Sequence, residues 1–236
     1  MMMSSKIALS AVVSGYGRVR IVNGVSAEVA AGEIVAVIGR NGVGKTTLMK
    51  TLIGEVPVKS GEVRFNGRDI GGLTTPRRAR LGIGYVPQGR GIFGRLSVAA
   101  NLGLGVGVGD ASRPNFDRVF DFFPILEKRL QQPAGSMSGG EQQQLAIARI
   151  LVGSPQLMLL DEPSEGIQPS IVQEIGRTIR RLRDQQGLTI MIVEQNLSLI
   201  QAVADRCLVM DRGRIIAEVR PDALNDPALA KEYLAI

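Results

Sequence analysis

Gly39-Arg40-Asn41-Gly42-Val43-Gly44-Lys45-Thr46 stands where the sequence passes from a short apolar run, 34–38, to a stretch with helical patterning, 46–53. It fits G-x-x-x-x-G-K-[ST] at every fixed position, and its flanks are the strand and the helix that this pattern needs. The physical logic is local. Glycines let successive backbone N–H groups turn toward one anion, and the helix that follows adds unpaired donors and the positive end of its dipole. Lys45 is expected to reach the β and γ phosphates of a nucleoside triphosphate, and the Thr46 hydroxyl to bind Mg2+. The expected phosphate cradle is therefore Gly39, Arg40, Asn41, Gly42, Val43, Gly44, Lys45, Thr46 and Thr47.

A phosphate loop of this kind needs a second strand that brings acid to the same end of the sheet. The run 157–160 supplies it, passing apolar through a core and ending in Asp161-Glu162. Asp161 can hold Mg2+ through its water shell, and Glu162 can act as general base on the attacking water. Further apolar runs at 190–193 and 208–210 alternate with helical periods at 170–186 and 197–204, which argues for a parallel sheet with crossover helices. The front of the chain differs. A strand is expected at 7–13, and 62–65 with Asn66-Gly67, after a turn at Lys59-Ser60-Gly61, reads as antiparallel hairpin material. Residues 89–135 break the rhythm, with helical candidates at 98–104, 115–123 and 125–130 and a loose glycine-rich stretch at 103–109. After Arg212-Gly213 come a strand at 214–219 and a short helical tail to Ile236. The expectation is one α/β domain over 1–236. Residues 1–88 and 136–236 form a P-loop core with parallel sheet and antiparallel β flank, and 89–135 an inserted helical subdomain.

Composition bounds the rest. The 236 residues are 44% hydrophobic and 21% charged, which excludes a disordered or fibrous chain. No apolar run approaches the roughly 18 to 20 residues that a membrane-spanning helix needs, and cytoplasmic residence is the default. A single cysteine, Cys207, excludes an intrachain disulfide, and the lack of histidine removes the usual zinc sites. The net charge of +6 suits anionic ligands, acidic lipid or nucleic acid alike. With six Phe, three Tyr and no Trp, none interleaved with a basic run, a stacking platform for single-stranded nucleic acid is not supported. The clusters Arg77, Arg78, Arg80 and Arg177, Arg180, Arg181, Arg183 read as solvated helix faces. Glycine, 29 of 236, stands well above a background of about 7% and points to close backbone approaches.

Ser138-Gly139-Gly140-Glu141 opens an amphipathic helix just ahead of the acid-bearing strand. Locally it is a capping box, Ser138 accepting from the Glu141 N–H and the Glu141 side chain reaching back. A Ser-Gly-Gly start also leaves N–H donors bare beside a dipole end, a second phosphate-binding surface in one chain. One γ phosphate does not need two such cradles from one subunit. The economical resolution is that the second faces a partner's nucleotide, two subunits enclosing two ATP molecules head to tail.

At this point the chain resembles the ATP-binding cassette ATPases of ABC transporters, over essentially its whole length and with several motifs in order. The resemblance implies that Tyr16 stacks on adenine and that Gln88, in Tyr85-Val86-Pro87-Gln88, touches Mg2+ and the attacking water. It makes Ser138, Gly139, Gly140 and Glu141 the signature facing the partner's ATP, although Met137 replaces the usual Leu and Glu141 the usual Gln. Gln195 stands where the family commonly has a histidine at the γ phosphate, and Gln168 where the loop after the acids usually carries Asp. Within the family the Glu194-Gln195-Asn196 ending is similar to one of the two unlike ATPases of branched-chain amino acid importers. Gly39-Arg40-Asn41-Gly42-Val43-Gly44 together with Glu165-Gly166-Ile167-Gln168-Pro169-Ser170-Ile171 looks most like the ATPase of urea or short-chain amide importers. The implied partners are a non-identical ATPase subunit, two membrane permease subunits and, indirectly, a periplasmic solute-binding protein, with no nucleic acid. The implied location is the cytoplasmic face of the inner membrane. Ile92, Phe93 and Leu96 are candidates either for permease contact or for internal packing. The rival readings are a branched-chain amino acid importer, an ABC ATPase acting on ribosomes or DNA, and an ordinary P-loop kinase.

Overall fold

The computed structural model describes residues 5–109 and 114–234. Its first half contains β1 (Ser5–Ser14), β2 (Val22–Ala30), β3 (Ile34–Ile38), α1 (Lys45–Ile53), β4 (Val58–Phe65), β5 (Arg68–Asp69), α2 (Thr75–Arg80), β6 (Ile83–Val86) and α3 (Val98–Gly103). Then come α4 (Phe116–Phe122), α5 (Pro124–Glu127), α6 (Gly139–Val152), β7 (Leu157–Asp161), α7 (Pro169–Gln186), β8 (Thr189–Val193), α8 (Leu197–Val203), β9 (Arg206–Asp211), β10 (Arg214–Val219) and α9 (Pro227–Leu234).

Two sheets organise these elements. One runs β10-β9-β3-β8-β7-β6, parallel from β9 to β6, with β10 added antiparallel at its edge. The other, β2-β1-β4-β5, is antiparallel throughout. All five residues of β3, β7 and β8 are buried, as expected of parallel strands covered on both faces. Strand alternation divides the interior into two cores. Ile34, Ala36, Ile38, Met158, Leu160, Ile190 and Ile192 face α6, α7 and α8, while Val35, Val37, Leu157, Leu159, Met191 and Val193 face α1 and the antiparallel sheet. The parallel core, the antiparallel flank and the helices between β6 and β7 are the elements the sequence leads one to expect.

Four local expectations change. Lys59-Ser60-Gly61 is not a turn, because β4 begins at Val58 and runs through it. Gly61 instead sits at a bulge, opposite the shifted register at Ser10 and Val13, with its φ at +82° and the Ala11 carbonyl where a Cβ would stand. Arg78 is not solvated. It is 1% exposed, donating to the carbonyls of Thr51 and Leu52 at the end of α1 and to those of Gly71 and Leu73. A cation placed on the C-terminal carbonyls of a helix is also favoured by the dipole. The helix expected at 125–130 is the single turn α5, and the loose 103–109 stretch is a 3-10 turn, Leu104–Gly107, against α6. Strands β2 and β6 were not expected, and the last two residues of the expected tail lie outside the described residues. Among the described residues no helix is long and apolar enough to cross a membrane.

Candidate functional site

The ends of β3, β7 and β8 lie side by side in register, and each delivers part of one site. From β3 the chain enters the glycine loop. Gly39 adopts φ +148°, with the Met210 carbonyl in the space of a Cβ, so no other residue fits there without displacing β9. The loop closes into α1, whose first N–H groups receive no side-chain cap, leaving an electropositive helix start pointing at the loop's concavity. Lys45 is 5% exposed and donates from Nζ to the carbonyls of Gly39 at 2.7 Å and Arg40 at 2.9 Å. Burial lowers its pKa, and Glu162, Asp161 and Glu194 oppose that shift.

From β7 come the two acids. Asp161, 1% exposed, accepts from Thr46 Oγ1 and from the Tyr85 hydroxyl, each at 3.1 Å. Burial raises its pKa, and those two hydrogen bonds pull it back. Tyr85 is itself held protonated, first by burial and then by the neighbouring Asp161 charge. Glu162 follows with φ +50°, a left-handed conformation uncommon for a residue with a side chain. Its carboxylate accepts from Gln88 Nε2 at 3.2 Å on one oxygen and from Gln195 Nε2 at 2.8 Å on the other. The same Gln195 amide donates to Asn41 Oδ1 at 2.8 Å, tying the end of β8 to the phosphate loop.

These groups border a cleft of about 750 Å3 that includes Tyr16, Asn41, Lys45, Thr46, Gln88 and Glu162. Tyr16 is half exposed and lines the same cleft. Gly42, Gly44, Thr47 and Gln195 also border it. Gly39, Arg40, Val43 and Asp161 are not among its bordering residues: Arg40 lines a separate cavity of about 290 Å3, and Val43 packs in the core. The Arg40 carbonyl accepts from Lys45. Sequence reasoning missed Ile21, next to Tyr16, and Ser164, Glu194 and Asn196, all on the cleft wall.

Ser138, Gly139, Gly140 and Glu141 lie elsewhere, and among the described residues none of the four borders this cleft. The capping box is present: Ser138 Oγ accepts from the Glu141 N–H at 3.4 Å, and Glu141 Oε2 accepts from the Ser138 N–H at 2.9 Å. Glu141 also pairs with Arg129 at 2.9 Å. Nearer the insertion, Ile92 packs on the core, whereas Phe93 and Leu96 are exposed.

The donor set at Thr46 and Asp161, a hydroxyl and a carboxylate joined at 3.1 Å, is hard oxygen chemistry that fits Mg2+ held between protein and a substrate phosphate. Among the described residues no cluster of three acids, cysteines or histidines forms a dedicated metal cage.

Comparison with known proteins bears on the same residues. A family model described as ABC transporter matches residues 22–165. The high-affinity branched-chain amino acid transport ATP-binding protein BraG of Pseudomonas aeruginosa is 43% identical over 222 residues, 93% of this chain and 95% of the relative. A probable branched-chain amino acid transport ATP-binding protein, LivF of Archaeoglobus fulgidus, is 37% identical over 86% of both chains. The lipopolysaccharide export system ATP-binding protein LptB of Escherichia coli is 38% identical over 91% of both. A nucleotide-free ATP-binding cassette from an ABC transporter superposes with TM-score 0.83 at 25% identity, over 97% of this chain and 98% of the other. An ATP-binding cassette of an ABC transporter in its ADP conformation gives 0.83 at 26%, over 98% and 99%. These relatives give no support to a urea or amide solute and favour the branched-chain amino acid alternative. A phosphate loop, an acid pair and a glutamine pair meeting around one cleft, in a fold shared end to end with these cassettes, place the chain in the ABC transporter ATPase family, as an ATP-binding and ATP-hydrolysing cassette.

Proposed function

We propose that this chain is the ATP-hydrolysing subunit of an importer of the branched-chain amino acid group. It would work at the cytoplasmic face of the inner membrane with a second, non-identical ATPase, two permease subunits and a periplasmic solute-binding protein. The 43% identity with a branched-chain amino acid transport protein over nearly the whole of both chains is the observation that carries the solute class. Uptake of labelled leucine and of labelled urea, in a strain lacking the gene and in the complemented strain, tests it. Loss of leucine uptake alone is expected, and loss of urea uptake alone overturns it.

In this reading ATP lies with its adenine on Tyr16 and its phosphates along the glycine loop. Lys45 exchanges the carbonyls of Gly39 and Arg40 for the β and γ phosphate oxygens, a stronger, charge-assisted contact. Thr46, Asp161 and Gln88 would hold Mg2+, which neutralises charge on the β and γ phosphates when bound. Glu162 takes the proton from a water attacking the γ phosphorus, and the bond to the ADP oxygen breaks to release phosphate. Each Glu162 oxygen accepts one amide N–H and keeps a second lone pair for that water, so Gln88 and Gln195 aim the base without consuming it. Gln195 can do this by hydrogen bonding but cannot itself carry a proton.

The Ser138 helix start is read as the surface that closes on the partner's γ phosphate. Its backbone donors suit an anion, and this chain's own cleft is bordered by other residues. Binding of ATP across the seam would then close the pair, and loss of phosphate would open it. Exposed Phe93 and Leu96, on the 89–135 insertion, are the side chains offered to a permease helix.

A further inference from the structure

Glu194 is 2% exposed and directly follows β8, one residue before Gln195. Four hydrogen bonds converge on its carboxylate. Oε1 accepts from the Ser164 hydroxyl at 2.8 Å and from the backbone N–H groups of Gln195 and Asn196, each at 2.9 Å, while Oε2 accepts from the Ser164 N–H at 3.3 Å. Its own N–H points to the Val37 carbonyl at 3.4 Å. A carboxylate buried to this degree is costly unless its lone pairs are met, and here they are met by donors from two separate segments. One segment is the loop after the acid pair, through Ser164. The other is the turn that starts α8, through Gln195 and Asn196. The Gln195 side chain in turn holds Glu162 and Asn41. A neutral amide of the same shape could not serve all four donors, because one of its two polar atoms is itself a donor.

Resting on the reading of Glu162 as base, we propose that Glu194 is a positioning residue. It clamps the Ser164 loop to the Gln195 turn, so that the amide aiming Glu162 is fixed relative to the phosphate loop and to the segment that follows the acids. Glu194 lies on the cleft wall, but the donors that meet its carboxylate are all the protein's own. Its effect is on the geometry of the base, so it acts on turnover and spares ATP binding.

The test compares Glu194→Gln with the wild-type chain, full length and assembled with its partner subunits. Two measurements are made: kcat and KM for ATP, and amide hydrogen exchange. Leaving buried donors unmet is expected to lower kcat by about tenfold or more while KM stays within about twofold. Exchange at Ser164, Gln195 and Asn196 should accelerate, with α1 unchanged. Ser164→Ala, a milder change, should lower kcat in the same direction, and the double variant should be no slower than Glu194→Gln alone. A wild-type kcat in Glu194→Gln, a parallel loss of affinity, or additive effects in the double variant would each overturn the clamp. If Glu194→Gln does not fold, unchanged exchange at Gln195 and Asn196 in Ser164→Ala, with a wild-type kcat, overturns it. Glu162→Gln separates the two readings. Normal turnover there removes the base, and the exchange data still decide whether the clamp exists.

Discussion

Two helix starts in this molecule have the same anion-binding physics and opposite surroundings. The start of α1 receives no side-chain cap and opens onto a cleft whose lining includes the buried charges Lys45 and Glu194, with the buried Asp161 hydrogen-bonded to Thr46 on its wall. The start of α6 is capped by its own residues, Ser138 and Glu141, with Arg129 holding the acid, and it borders no part of that cleft. The first region is built to surround a ligand, and the second is built to present a stiff surface. A cap satisfies one N–H and orients the helix, leaving the neighbouring glycine donors for an outside anion. In the proposed reading, this contrast is how one chain carries two phosphate surfaces without redundancy.

That contrast can be broken at several points. The largest effect is expected from Glu162→Gln, which should lower kcat by about 10^2 to 10^4-fold with ATP affinity retained, read by steady-state hydrolysis and equilibrium ATP binding. Next, Lys45→Ala should weaken ATP binding by about 100-fold, since two charge-assisted phosphate contacts are lost, and titration calorimetry reads it directly. Smaller, and decisive for the second helix start, is Ser138→Ala. In complexes where only the partner's site can turn over, it should slow that site by about tenfold, and it should also cost about 1 kcal/mol of stability through the lost cap. An effect confined to this chain's own site would erase the distinction between the two regions. The smallest is Tyr85→Phe, which removes one hydrogen bond to Asp161 and should lower kcat by about two- to fivefold while leaving ATP affinity near wild type.

The sequence made the site legible where chemistry is local. The glycine loop, the apolar run ending in Asp161-Glu162 and the capping box are each specified by near neighbours, and the structure places them where their flanks require. What stayed hidden depends on distant partners. Arg78 reads as one of three exposed arginines until the end of α1, some twenty-five residues earlier in sequence, is folded against it. In the sequence Glu194 enters only as the first residue of the Glu194-Gln195-Asn196 ending, because the Ser164 loop that surrounds it belongs to another crossover. Strand β6 is four residues long and contains Gly84, too short and too plain for period-two patterning to register. Gly61 was misread for a different reason, since a bulge and a turn call for the same residue.

Among the described glycines, some of the closest approaches lie behind α6. Gly105 leaves no space for a Cβ against the Arg149 carbonyl, nor Gly153 against the carbonyls of Val108 and Gly105, and Gly84 is filled by Ile150. Phe93 stands over the Arg149 guanidinium at 5.6 Å, and Arg149 donates back to the Gly91 carbonyl at 2.9 Å. With main chain wedged against main chain there is no slack for side chains to absorb. Phe93 and the 103–109 turn thus pack on the one helix that Gly139 opens, roughly 15 Å along its axis from Arg149, so in the proposed reading a permease contact at Phe93 and the Ser138 surface would bear on the same rigid element.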